Sequence, residues 1–222
     1  MTEQGSGMVR VAFQGEPGAY SEAALLEYFE NKVVAVGHAR FEDVFEAVEK
    51  GACRYGFIPI ENSLAGSIHR NYDLLREHNL HIIGETTLRI RHCLIAVPGA
   101  SLENIRVVNS HPQALDQCRG YLNRHPGIRV EPVYDTAGAV KQLAESRDPS
   151  LAAIASRRAA ELYGMQILKE GIEDDAANYT RFLVLSTQPA DPTADAKTSI
   201  VVSLVNQPGS LFKALSVFAL RD

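Results

Sequence analysis

Four short clusters carry the side chains that could do chemistry. Asn178-Tyr179-Thr180-Arg181-Phe182 opens polar and runs into Leu183-Val184-Leu185, so a hydroxyl and a guanidinium sit side by side where a loop enters a strand. Thr180 could donate to a leaving oxygen and Arg181 could fork onto a carboxylate; equally, Thr180 could close a turn and Arg181 make a surface ion pair. Glu61-Asn62-Ser63 puts a carboxylate, an amide and a hydroxyl at the end of a strand, with Ser63 a candidate cap for a helix starting near residues 64–67. Ser110-His111-Pro112-Gln113 has the spacing of a capping box and would present a positive helix end to a carboxylate, and Asp135-Thr136 opens a second helix in the same way. His78, His81 and His92 have no carboxylate or cysteine set at ligand spacing around them, so a metal site is not expected.

These clusters need a scaffold that brings strand ends together. Residues 8–14 alternate as a first strand, the Gly15–Gly18 turn leads into a helix over 22–30, residues 41–50 form a second helix closed by Gly51, and residues 55–60 form another strand. Gly15-x-x-Gly18 lacks the third glycine of a dinucleotide fingerprint. Residues 81–97 exceed one strand and read as two, with the chain crossing between lobes. Strands at 105–109, 128–134 and 151–155 then alternate with helices at 112–122, 137–145 and 157–163, the pattern of a parallel, doubly wound sheet. The acidic stretch Gly171-Ile172-Glu173-Asp174-Asp175 reads as a mobile loop ahead of Thr180, residues 189–197 as a linker, and residues 198–205 and 212–220 as a strand and a helix.

Composition narrows the function. The chain has 222 residues, 45% apolar and 22% charged, as in ordinary globular proteins. A net charge of −5, with no basic run longer than Arg157-Arg158, argues against nucleic acid. Cys53, Cys93 and Cys118 are odd in number and widely spaced, pointing to free thiols in a reducing compartment. No 18-residue apolar segment suggests a membrane span, and residues 1–7 read as a disordered leader rather than a signal peptide. A cytoplasmic protein is expected.

The motif Asn-x-Thr-Arg-Phe, with Gly-x-x-Gly-Ala-Tyr-Ser, Ile-Pro-Ile-Glu-Asn-Ser, Ser-His-Pro-Gln and Gln117-Cys118 in order, resembles the prephenate dehydratase family over residues 8–188. Residues 198–222 resemble the start of an ACT regulatory domain, with Asn206, Pro208, Gly209 and Leu211 in its ligand-contacting turn. The resemblance implies an α/β fold of two periplasmic-binding-protein-like lobes around a cleft, with lobe one over about 8–86 and 164–188 and lobe two over about 87–163, followed by a partial ferredoxin-like segment. It implies decarboxylating dehydration of prephenate to phenylpyruvate without a cofactor. Thr180 would be the donor or acid at the leaving hydroxyl, acting as an oriented donor or by relay from Glu61, and Arg181 would hold a carboxylate or brace the Thr180 loop. Asn62, Ser63, Ser110, Gln117, Asp135, Asn178 and Phe182 would line the substrate site. Homo-oligomerisation and phenylalanine as effector of the intact protein are further expectations. Arogenate as substrate, or a non-catalytic two-lobed binding protein, are the alternatives.

Overall fold

A computed structural model describes residues 8–194, 196–200 and 202–221. The expected leader over 1–7, Asp195 in the linker and Val201 in the C-terminal segment lie outside the described residues. The chain divides into two units, residues 1–190 and 191–222.

In chain order the first unit runs β1 (Val9–Gln14), α1 (Tyr20–Tyr28), β2 (Val33–His38), α2 (Phe41–Glu49), β3 (Tyr55–Asn62), the two-residue β4 (Gly66–Ser67), α3 (His69–Glu77), β5 (His81–Arg89) and β6 (Cys93–Ala96). It continues with β7 (Val107–Ser110), α4 (Pro112–Gln117), α5 (Arg119–Asn123), β8 (Arg129–Pro132), α6 (Thr136–Ser146), β9 (Leu151–Ala155), α7 (Arg157–Tyr163), β10 (Gln166–Glu170) and β11 (Tyr179–Ser186). One sheet has the order β2-β1-β3-β11-β5 with β4 on β3, and the other β10-β6-β9-β7-β8. The chain passes between the sheets at residues 90–92 and returns at 171–178. The long segment 81–97 is indeed two strands separated by a crossing.

Lobe boundaries, strand direction and one loop differ from the sequence reading. Residues 166–170 form β10 and pair antiparallel with β6, so they belong to the second lobe, and residues 87–89 pair with β11 in the first. The second sheet is parallel only across β9, β7 and β8, because the strands that enter and leave the lobe, β6 and β10, run antiparallel at one side. The loop 171–175 is tied down rather than loose: Glu173 accepts the His92 N–H at 2.9 Å, and Asp174 accepts the Gly120 N–H while its own N–H donates to Gln117 O at 2.7 Å. A carboxylate that accepts a backbone N–H makes a charge-assisted hydrogen bond, stronger than a neutral one.

A single apolar cluster joins the lobes, from Phe13, Leu25, Phe57 and Phe182 through Leu94 and Ile95 to Ile105, Val140 and Ile154. A second, under α2 and α3, covers the other face of the first sheet. The glycine turn contributes to the join. Gly18 has φ +92°, and a Cβ there would meet Ala159 Cα of α7 at 2.9 Å; its carbonyl accepts the Ser156 hydroxyl at 2.6 Å. Only glycine allows so close an approach at a positive φ.

The C-terminal unit contains α8 (Ser210–Ala219), entered through Gly209 at φ +85°. Among the described residues of 198–205 the expected strand does not form. An isolated β segment without a neighbouring ladder leaves its backbone groups better satisfied by water. Asn206, Pro208 and Gly209 form the turn before α8, and Leu211, 62% exposed, lies in its first turn.

Candidate functional site

The site is built on the junction of β3 and β11. Register pairs Thr180 with Asn62 and Arg181 with Glu61, while Phe182 pairs with Pro59 across a bulge. Side chains alternate along a strand, so Thr180 and Phe182 share one side and Arg181 takes the other. The bulge inserts one residue into β3, which lets Pro59 and Asn62, three apart, meet the same side. Proline suits the position because it has no N–H to leave unpaired. The carbonyls freed there are used: Ile60 O accepts the Ile68 N–H at 2.9 Å, and Pro59 O accepts the buried Asn71 amide at 2.6 Å.

A cavity of about 250 Å³ opens on that side. Thr180, Phe182, Pro59 and Asn62 form its first-lobe wall, with Ser67 and Ile68 from the β4 turn and Tyr20 and Ser21 from the start of α1. His92 and Ile90 of the crossing, His111, Gln113, Ala114 and Gln117 of the α4 segment, and Thr136 complete it from the other side. The lining mixes apolar side chains with hydroxyl, amide and imidazole groups from both sides. Among the described residues no Asp, Glu, Lys or Arg lines it. Phe182 stacks on Phe57 with centroids 5.0 Å apart, a contact worth about 0.5–1.5 kcal/mol beyond its buried area.

Polar groups in the wall form one network. Asn62 Nδ2 lies 2.9 Å from Thr180 Oγ1, 2.8 Å from Asn178 Oδ1 and 3.1 Å from Tyr179 O. Asn178, fully buried, donates to Gln117 Oε1 at 2.9 Å, and Gln117 Oε1 is 2.8 Å from His92 Nε2. Because Asn62 donates to Thr180 Oγ1, the threonine's own hydrogen remains available to a ligand. Gln117 commits its oxygen to Asn178 and His92, so it offers a ligand its NH2 group. Burial lowers the pKa of His92 below the ordinary imidazole value and raises that of the Tyr20 phenol well above its usual one.

The structure therefore brings Thr180, Asn62, Asn178, Gln117 and Phe182 together and places the other candidates elsewhere. Glu61 is exposed on the opposite side from Asn62 and does not line the cavity, so the relay to Thr180 has no path through it. Arg181 faces Glu85, with Nε 2.9 Å from Oε2, and braces β11 against β5 rather than reaching the cavity. Ser63 caps no helix, because β4 and its turn intervene before α3; its hydroxyl donates to Ala177 O at 2.7 Å and accepts the Tyr179 N–H. Ser110 is fully buried at the end of β7 and donates to Ile154 O, while the cap of α4 is His111, whose Nδ1 accepts from Gln113 N at 3.2 Å. Asp135 caps α6 through Gly138 N at 2.8 Å and lines a separate cavity with Gln14, Glu16 and His38; burial raises its pKa.

Tyr20 and His92 were not among the substrate-site candidates, and His111 and Gln113 entered only as part of a capping pattern. The sequence signal for His92 was its place at a lobe crossing beside a buried strand; for Tyr20 and His111 it was adjacency to helix starts.

The prephenate dehydratase family profile matches residues 11–190. The chain belongs to the prephenate dehydratase family. It is 53% identical over 216 residues to arogenate dehydratase/prephenate dehydratase 2, chloroplastic, of Arabidopsis thaliana, covering 96% of this chain and 56% of that protein. The chain thus spans about half the length of the curated relatives it matches. Among solved structures, the prephenate dehydratase of Arthrobacter aurescens in complex with L-Phe superposes with a TM-score of 0.82 at 29% identity, over 96% of this chain and 73% of that one. A quorum-quenching acylase, GqqA, superposes at 0.79 with 34% identity, over 95% and 77%.

Proposed function

We propose that the cavity at the β3–β11 junction catalyses decarboxylating dehydration of prephenate to phenylpyruvate. The observation that carries this is Thr180 Oγ1, held by Asn62 Nδ2 at 2.9 Å on the cavity wall with its hydrogen free for a ligand. In the reaction the ring carboxylate leaves as carbon dioxide, its electron pair enters the ring, and the ring hydroxyl departs and is protonated to water. The enzyme's task is to hold the substrate and stabilise the departing oxygen. A threonine hydroxyl is a weak acid in water, but as an oriented donor in a cavity flanked by Phe182, Ile68, Ile90 and Ala114 it acts on charge as it develops. These apolar side chains suit the ring as it becomes aromatic. Gln117, Gln113, Ser21, Ser67 and His111 supply donors for the substrate's carboxylates in place of an arginine.

Arogenate, with an amino-acid side chain in place of the keto acid, is a second substrate reading, favoured by the Arabidopsis relative at 53% identity whose name carries both activities. Control of the longer protein by phenylalanine is part of the proposal, supported by the L-Phe complex of the Arthrobacter relative and by the Asn206–Gly209 turn; a homo-oligomeric state of the longer protein is proposed with it.

The deciding experiment follows turnover of prephenate and of arogenate by the chain and by Thr180→Ala. A fall in kcat of about 10²-fold or more, with unchanged circular dichroism, supports the donor role. Equal turnover by both proteins would sink it. Binding without turnover in the unaltered chain would favour the two-lobed binding protein instead.

A further inference from the structure

The cavity wall's hydrogen bonds have one consistent sense, which can be read outward from two backbone groups. The N–H groups of Leu64 and Ala65 lie 3.0 and 2.9 Å from Asn62 Oδ1. A backbone N–H only donates, so the amide oxygen of Asn62 faces its own turn and its NH2 faces Asn178 and Thr180. Asn178 therefore accepts from Asn62 through Oδ1 and donates through Nδ2 to Gln117 Oε1. A carbonyl oxygen cannot donate, so the ring nitrogen 2.8 Å from Gln117 Oε1, His92 Nε2, carries a hydrogen. In neutral imidazole the other nitrogen is then bare, and the Tyr20 hydroxyl, 2.8 Å from Nδ1, donates to it. The single hydrogen of the Tyr20 hydroxyl is shared between Nδ1 and the carbonyl of Arg91, 3.0 Å away, and the tyrosine ring lies edge-on to His92 with centroids 5.5 Å apart.

We propose that His92 and Tyr20 are positioning residues: they hold Gln117 with its oxygen turned inward and, through Asn178 and Asn62, keep the hydrogen of Thr180 directed at the cavity. This rests on the dehydratase reading of the same cavity. The physical reason lies in the symmetry of an amide. Gln117 fits the space about equally well with its oxygen and nitrogen exchanged, and only its partners decide between the two. Exchanged, it would set NH2 against the NH2 of Asn178, and the conflict would pass along to Asn62, whose two hydrogens already serve three acceptors. Asn178 alone favours the inward oxygen; the His92 Nε2–H adds a second donor to the same atom. The His92 backbone is fixed independently, its N–H on Glu173 Oε2 at 2.9 Å and its carbonyl accepting the Ile172 N–H at 3.2 Å, so the ring is supported at both ends.

Two measurements test this, and they fail separately. The first is a long-range proton–nitrogen NMR spectrum of the whole chain labelled at histidine, with His92 assigned by its loss in His92→Leu. The Nε2–H tautomer is expected; the Nδ1–H tautomer overturns the proposal whatever the substrate proves to be. The second is steady-state kinetics on whichever of prephenate and arogenate the chain converts. His92→Leu is expected to lower kcat about 10-fold or more with KM within about 2-fold, and His92→Gln, whose amide N–H can replace the ring donor, to recover most of the loss. Tyr20→Phe is expected to act in the same sense as His92→Leu and more weakly. Unchanged kcat in His92→Leu, equal loss in the Leu and Gln variants with folds matched by circular dichroism, or a loss confined to KM each overturns the proposal. If the chain converts neither substrate, the dehydratase reading falls while the tautomer still decides the sense of the network.

Discussion

Thr180–Asn62 and Arg181–Glu61 are neighbouring rungs of one ladder, equally rich in polar atoms, and they have opposite fates. The first rung faces the cavity and joins a network reaching Gln117 and His92. The second faces away; Arg181 is held by Glu85 of β5 and Glu61 stands in solvent. What separates them is one step along a pleated strand. Chemical character at a strand end therefore does not say which residue acts; the side of the sheet that is covered by the other lobe does. The bulge at Ile60 strengthens the contrast by turning both Pro59 and Asn62 toward the cavity.

The contrast can be broken most sharply at Asn62. Asn62→Leu removes the donor to Thr180 and Asn178 and also the acceptor for the Leu64 and Ala65 N–H groups, so kcat should fall by about 10²-fold or more and the melting temperature should drop as well. Kinetics beside a thermal melt would show both; a melt shift with intact kcat would assign Asn62 to the turn alone. Gln117→Met keeps the volume and deletes the shared acceptor, and a loss of about 10-fold in kcat/KM is expected in steady-state kinetics. An effect under 2-fold would separate the second lobe from the chemistry.

On the other rung the effects should shrink. Arg181→Met is expected to cost about 1 kcal/mol or less of stability in a urea titration, because the pair with Glu85 is about one-third exposed and screened, and to leave kcat/KM within about 3-fold. A rise in KM of about 10²-fold would instead return Arg181 to the role of carboxylate anchor. Glu61→Gln should be the mildest, within about 2-fold in kcat at every pH where the protein is folded. A lost limb of the pH–rate profile in that variant would restore the relay.

Much of the site could be read from local pattern. The strand into which Thr180 leads, the two strands within residues 81–97 and the helix stop at Gly164 all follow from apolar runs and a left-handed glycine. Caps were legible in kind but not always in position: Asp135 caps its helix as its type suggests, whereas Ser110 is one residue too early, because β7 extends through it and buries its hydroxyl on Ile154. The edge strands β2 and β10 are not legible in the sequence, being half-exposed and without clean alternation.

The sequence by itself determined most of the strands and helices, that they make an α/β chain in two lobes, and which short motifs carry hydroxyls, amides and guanidinium groups; these depend on neighbours a few residues apart. Only the tertiary structure decided which of those groups meet. Thr180 and Asn62 are 118 residues apart and meet through a register set across β3 and β11. Tyr20 and His92, 72 apart, meet where the crossing between lobes passes the start of α1. A one-residue difference in pairing would exchange Thr180 for Arg181 at the cavity, and nothing local to either residue encodes that choice; it follows from burying Phe182, Leu183, Val184 and Leu185 on the sides where the rest of the core can cover them.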